Sequence, residues 1–282
     1  MKHDAYHLRS DPEPHSCAVF SSPHSGAEYS DAFLEDSCLS PLQLRSSEDA
    51  FVDLFCENTL GAPVLAARMP RAFVDLNRAA DELDPAIVSG ASGRATNRRI
   101  AAGLGVIPRV VANGRAIRLG KISIEEATAR LNGYYHPYHK ALTGLIEAQK
   151  RRFGVCYLFD LHSMPAAAQP RGPFVRRSEI ILGDRYGTSC DPWLSDAVAG
   201  VFKAAGFRVS RNAPFAGGYI TRHYGAPDSG ISALQIEFDR SLYMDEESVS
   251  LRADFANFRA RIAAVLAELA ALPPVVRSLA AE

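Results

Sequence analysis

Short apolar runs separated by turn-forming residues alternate along this chain with longer stretches that are apolar on one face only. Residues 17–20 (Cys-Ala-Val-Phe) form an apolar run that leads at once into Ser21-Ser22-Pro23-His24-Ser25-Gly26, which predicts a buried strand delivering a loop. Residues 64–66, 72–78, 180–182 and 208–210 are read as further short strands, and residues 103–111 have short, β-branched character. The clearest buried strand is residues 155–162, whose near-continuous hydrophobicity predicts a central position covered on both faces. Residues 233–239 are another strand. Helical spacing is expected after Ser46-Ser47-Glu48-Asp49, where Phe51, Val52, Leu54 and Phe55 recur at core intervals and Ser46 or Ser47 serves as N-cap. Residues 123–153 read as helix with an acidic opening and a basic close, divided by a break over residues 133–137. Further helices are expected over residues 192–205 and 248–272. Strands alternating with helices predict an α/β fold: a mainly parallel or mixed twisted sheet flanked by helices, forming a single domain over residues 1–282. Residues 165–177, with Pro, Gly, Ala and three arginines and little periodicity, are read as a mobile loop.

Composition narrows the class. The chain is 47% hydrophobic and 22% charged with a formal charge of −1, which predicts a sizeable core and excludes the basic footprint of a nucleic-acid binder. No apolar stretch of about 18 residues occurs, and no basic run is long enough to steer the chain to a membrane surface. The five cysteines are scattered, odd in number and include no CxxC pair, so neither a disulfide framework nor a cysteine-rich zinc site is supported. With no apolar core in the first residues, the expected location is the cytoplasm and the expected partner a small molecule. Nothing in the sequence sets the oligomeric state.

Open α/β sheets bind ligands beyond the carboxyl ends of their strands. Three metal-competent side chains occupy such ends: His24, His162 and Glu237. Two histidines and a carboxylate are a common set for catalytic zinc, and a nearby carboxylate such as Glu237 is a natural general base for the water that such an ion activates. Asn77-Arg78, directly after an apolar run, suits bidentate recognition of a substrate carboxylate. His136 and His139 lie at an expected helix break and are read as structural, and Asp184-Arg185 as an internal ion pair. Ser163 beside His162 invites a serine-hydrolase reading, which the absence of a Gly-x-Ser-x-Gly elbow removes.

Several longer motifs carry a resemblance. Ser22-Pro23-His24-Ser25-Gly26, Asp75-Leu76-Asn77-Arg78, Gly103-Leu104-Gly105-Val106-Ile107-Pro108, Asp160-Leu161-His162-Ser163-Met164, Leu182-Gly183-Asp184-Arg185, Gly217-Gly218-Tyr219-Ile220-Thr221 and the segment from Leu234 to Met244 resemble the N-formylglutamate amidohydrolase (deformylase) family over most of the chain. That family in turn resembles the zinc carboxypeptidases and aspartoacylases, so a zinc-exopeptidase-like sheet is implied. The resemblance implies hydrolysis of N-formyl-L-glutamate to glutamate and formate, a step of histidine degradation, with one zinc per chain. His24 and His162 would be zinc ligands, Asn77 and Arg78 would hold the substrate carboxylate, and Glu237 would be the base. Arg71 would add a second positive group for that carboxylate or for the oxyanion, and Gly217-Gly218-Tyr219 is read either as a lid that brings Tyr219 to substrate or as a tight turn beside a core tyrosine. One departure matters: the related pattern carries a ligand glutamate three residues after the first histidine, and position 27 here is alanine. The third ligand is then Asp49, Glu48 or Glu28, with Asp49 preferred because a helix N-terminus presents it. Two alternatives stay open: a deacylase of another N-acyl amino acid or a γ-glutamyl amide, and a non-catalytic binding protein that keeps the fold.

Overall fold

The computed structural model describes residues 5–11, 13–92, 97–169 and 177–276. Of the loop expected over residues 165–177, residues 170–176 lie outside the described residues. A seven-stranded sheet organises the rest. Its strands are β1 Tyr6–Arg9, β2 Ala18–Ser22, β3 Val64–Ala67, β4 Cys156–Met164, β5 Ile180–Gly183, β6 Val209–Arg211 and β7 Ile231–Asp239, in the order β1-β3-β2-β4-β7-β5-β6. The interior pairs β3/β2, β2/β4 and β4/β7 are parallel, as is β5/β6. The pairs β1/β3 and β5/β7 are antiparallel, so the sheet is mixed and mostly parallel.

Central strand β4 is buried along all nine residues, as its near-continuous hydrophobicity predicts. Alternate side chains feed two cores. Tyr157, Phe159 and Leu161 join Phe20, Leu234, Ile236 and Phe238 on one face, under helices α3 (Pro192–Ala204) and α5 (Phe255–Ala270). Cys156 and Leu158 join Val19 and Ala233 on the other, under α1 (Ile124–Arg130), α2 (His136–Phe153) and the short α4 (Tyr219–Tyr224). On this second face the parity that begins with Val19, Leu158 and Ala233 continues toward the carboxyl ends as Ser21, Asp160, His162, Gln235 and Glu237. Two-residue periodicity therefore brings these five polar residues to the same side and the same end of the sheet.

Five expected elements differ. The segment 72–78 is a chain of turns, not a strand: Asp75 accepts a bond from the Asn77 N–H, which closes a local turn in place of a ladder. The segment after Asp49 is a single 3-10 turn, Val52–Phe55, entered through Phe51 with φ 68°, and Ser46 caps the end of the preceding Pro41–Arg45 helix instead of opening a new one. Residues 133–137 do not break the helix; Leu131–Tyr135 form a π-turn that joins α1 to α2. There the His136 N–H reaches five residues back to the Leu131 carbonyl, which accommodates the missing donor of Pro137 in the first turn of α2. The closing helix starts at Phe255, because Ser250–Leu251 pair with Met244–Asp245 in a small ribbon. Residues 103–111 contribute only an isolated bridge at Val110. No helix among the described residues is long and apolar enough to cross a membrane.

Candidate active site

At the carboxyl ends of β2, β4 and β7 lies a cavity of about 520 Å³. His24 reaches it from the turn after β2, where Gly26 is obligatory: a Cβ there would stand 2.2 Å from the Met69 carbonyl oxygen. His162 arrives on β4 directly beside Glu237 of β7, its partner in register. Asp49 comes from the bend after the Pro41–Arg45 helix and is fastened to the first turn by its own N–H, which donates to the His24 carbonyl at 3.0 Å.

These elements bring His24, Asp49 and His162 together, all buried, with one donor atom of each within 4.8 Å of the others. Asp49 Oδ2 lies 3.3 Å from His24 Nδ1 and 2.9 Å from His162 Nδ1. Ligands about 2.0–2.1 Å from a tetrahedral ion stand roughly 3.3 Å apart, so the spacing fits a small divalent cation. The outer nitrogens support the same reading. His24 Nε2 meets Asp75 Oδ1 at 2.7 Å, and His162 Nε2 meets Asp160 Oδ2 at 2.8 Å. Each ring thus gives its outer N–H to a carboxylate and turns Nδ1 toward the shared point, the arrangement that fixes tautomer and orientation in metal-binding histidines. Around that point stand the carboxylates of Asp49, Asp75, Asp160 and Glu237 and the guanidinium groups of half-buried Arg71 and buried Arg78 and Arg240.

The electrostatics follow from burial opposed by close partners. Burial disfavours a charged Asp49, but the hydrogen bonds from His162 and His24 outweigh it and hold the carboxyl well below the usual range. His162 is likewise penalised by burial and is nevertheless raised well above 6.5 by Asp160 and Asp49. Burial pushes Glu237 up to about 7, opposed by the charge of His162 and reinforced by that of Asp49. Its Oε1 accepts from Gln235 Nε2 at 2.7 Å. Asp75 is held well below its usual range by Arg71, Arg78 and His24 despite burial.

The other anticipated residues divide. Arg71 lines the cavity and donates to Asp75 Oδ2 at 2.8 Å. Arg78 lines it too, but Nε and Nη1 already donate to the carbonyls of Leu104 and Asn77, so only Nη2 projects without a close partner, 3.7 Å from Asp75. Asn77 holds the Ile220 N–H with Oδ1 at 2.8 Å and sets Nδ2 3.2 Å from His162 Nε2, so it ties the start of α4 to the site. Tyr219 does not reach the cavity wall; Gly217 and Gly218 line it, while the Tyr219 ring packs on His139 and His223. Glu48 is bound by Tyr29 and Arg45, and Glu28 by Arg68, so neither joins the two histidines. Asp49 does, although a bend presents it and not the helix N-terminus that sequence suggested. Asp184 bonds Ser195 and Asn212, so the Asp184-Arg185 ion pair is not formed. His139 is structural, bonded to the Leu76 carbonyl and the Tyr224 hydroxyl.

Sequence reasoning missed Asp75, Asp160, Gln235 and Arg240. The first lies inside the motif that singled out Asn77 and Arg78, and the next two stand two residues before His162 and Glu237 on the same strand faces. Strand parity was the available signal for that pair.

A pair of ring nitrogens and a carboxylate oxygen converging at the end of a parallel sheet, with a further carboxylate alongside, is the layout of a hydrolase site suited to a divalent ion. The N-formylglutamate amidohydrolase family model matches residues 16–244. N-formylglutamate deformylase of Pseudomonas putida is 32% identical over 244 residues, covering 85% of this chain and 86% of that protein. The Pseudomonas aeruginosa protein of the same name is 36% identical over 202 residues, 70% of this chain and 71% of that one. Among solved structures, the N-formylglutamate amidohydrolase of Ralstonia eutropha superposes with a TM-score of 0.88 at 33% identity, over 95% of this chain and 98% of its own. A protein of Agrobacterium tumefaciens shares the fold at a TM-score of 0.64 and 18% identity, covering 94% of each chain. The chain belongs to the N-formylglutamate amidohydrolase family.

Proposed function

We propose that this chain hydrolyses N-formyl-L-glutamate to glutamate and formate, with one zinc ion held by His24, Asp49 and His162. The observation that carries the reading is the placement of Glu237: on β7, in register with His162, lining the same cavity as the three metal-competent side chains. Family membership and the names of the relatives supply the substrate. A single amidohydrolase domain over residues 1–282 belongs to the same proposal.

When bound, the ion polarises the formyl carbonyl and lowers the pKa of a water to roughly 7. The chain's own groups do the rest. Gln235 holds Glu237 Oε1, which leaves Oε2 to take a proton from the attacking water and return it to the departing amine nitrogen. A base whose carboxyl is pushed up to about 7 is matched to neutral pH. Arg71, fixed by Asp75, and Arg78, fixed by the Leu104 and Asn77 carbonyls, offer their remaining N–H groups to the glutamate carboxylates or, for Arg71, to the oxyanion. Asn77 keeps that wall and the start of α4 in place. Binding energy from carboxylates remote from the reacting carbon orients the amide for attack.

The test is formate release from N-formylglutamate by the purified chain, before and after chelation and after zinc is restored. A Glu237→Gln variant is expected to keep its zinc and lose turnover by about 10²–10⁴-fold. Near-normal turnover in that variant refutes the assigned role. Equal specificity constants for formyl and acetyl derivatives of glutamate and aspartate refute the assigned substrate.

A further inference from the structure

We infer that Arg240 is the residue that confines Asp49 to a single coordinating oxygen and so keeps a position open on the metal. The inference rests on the proposed metal site. Arg240 follows β7 in a 3-10 turn, three residues after Glu237, and is buried. Its guanidinium is spent on three separate elements. Nη2 donates to Asp49 Oδ1 at 3.0 Å, Nε to Ser163 Oγ at 3.1 Å, and Nη1 to the Ser46 carbonyl at 3.2 Å. Ser163 in turn donates to the same Asp49 Oδ1 at 3.3 Å.

The two oxygens of Asp49 therefore face different partners. Oδ2 meets both histidine Nδ1 atoms, while Oδ1 is held by a guanidinium and a hydroxyl that point it away from the shared centre. A carboxylate is free to bind a cation with one oxygen or both, and the choice is set by what else its oxygens accept. With Oδ1 occupied, the protein supplies three donors and a fourth position stays available to water, as a catalytic site requires. Without Arg240, Asp49 is free to rotate and add its second oxygen beside the water, which raises the coordination number and crowds that position. The planar fork makes the arrangement specific: a lysine ammonium delivers charge but does not reach three divergent acceptors at once. The bond to Ser46 also secures the bend that carries Asp49 to the strand that carries Glu237, so ligand and base move as one unit.

Zinc affinity of the chelator-stripped chain, measured by competition with a chromophoric chelator, and the visible spectrum of the cobalt(II)-substituted chain test this without substrate. In Arg240→Met, zinc affinity is expected to fall about 10–100-fold. The cobalt d–d bands are expected to weaken, as they do when four-coordinate cobalt becomes five-coordinate. Arg240→Lys is expected to change both in the same direction and decides the matter if the methionine variant does not fold. A folded variant with wild-type zinc affinity and an unchanged cobalt spectrum overturns the inference. A wild-type chain that binds no zinc overturns the metal site itself, a result distinguishable because it is seen before any substitution is made.

Discussion

His139 sits one layer behind the site, and its ionisation links pH to the integrity of the turn that carries Asp75, Asn77 and Arg78. From α2 it spans the Leu76 carbonyl at 3.0 Å through Nε2 and the Tyr224 hydroxyl at 2.8 Å through Nδ1. A carbonyl only accepts, so Nε2 carries a hydrogen, while the Tyr224 hydroxyl lies between Nδ1 and the His139 carbonyl oxygen, 3.3 Å away. Burial pushes the pKa from 6.5 down to about 4, with the bond to Leu76 working the other way. The neutral ring is therefore the folded form. Above pH 6.5 both folded and unfolded chains are neutral here and the full stability is present. As pH falls below 6.5 the unfolded chain takes up a proton that the folded one refuses, and stability is lost progressively toward pH 4. Between pH 7.5 and 5.0 the linkage is worth about 2 kcal/mol, trimmed to about 1–2 because the ring retains some solvent contact. Urea unfolding at the two pH values, for the wild type and for His139→Gln, isolates the effect, since glutamine keeps a donor for Leu76 but does not titrate. The wild type is expected to lose about 1–2 kcal/mol more than the variant over this interval. Equal losses in the two proteins would show that His139 is not held neutral and would refute the reasoning.

Three further outcomes are expected. Removing the outer partner of His162 in Asp160→Ala should weaken zinc binding about 10–100-fold, read by the same chelator competition, and unchanged affinity would separate Asp160 from the metal site. Gly218→Ala places a Cβ 2.3 Å from Asn77 Nδ2, so Asn77 must shift off the Ile220 N–H. A fall in kcat/KM of about 10–100-fold with zinc retained is the expected result, and wild-type kinetics would remove Asn77 from the site's supporting frame. Phe55, fully buried among Phe238, Tyr243 and Phe258, should cost about 3–5 kcal/mol in thermal or urea unfolding when changed to alanine. A loss under 1 kcal/mol would mean that the first core repacks freely there.

What could be read along the chain was whatever local pattern controls. The near-continuous apolar run of β4 announced a central strand, and the polar residues ending β4 and β7 marked where a ligand would sit, because strand parity carries directly from sequence into space. The start of the helix at residue 123 was legible from its acidic opening, and the structure adds a local cap there, the Ser123 side chain bonding the Glu126 N–H three residues on. The turn at 72–78 was not, because its backbone groups are satisfied from afar. Tyr135 takes the Arg78 carbonyl, His139 that of Leu76 and Arg130 that of Phe73, all from the helix and π-turn that cover the second core. Strand β1 escaped notice because four residues of alternating exposure carry little signal. Among three candidate carboxylates, sequence favoured Asp49 for a helix that does not form; its selection comes from the bond between its N–H and the His24 carbonyl. Glu48, its immediate neighbour, points instead to Tyr29 and Arg45. Sequence by itself determined which strands end in chemistry and which family the motifs resemble. Only the tertiary structure decided which carboxylate joins His24 and His162 and which guanidinium restrains it, because those contacts join residues 25, 113 and 191 positions apart, beyond the reach of any local period.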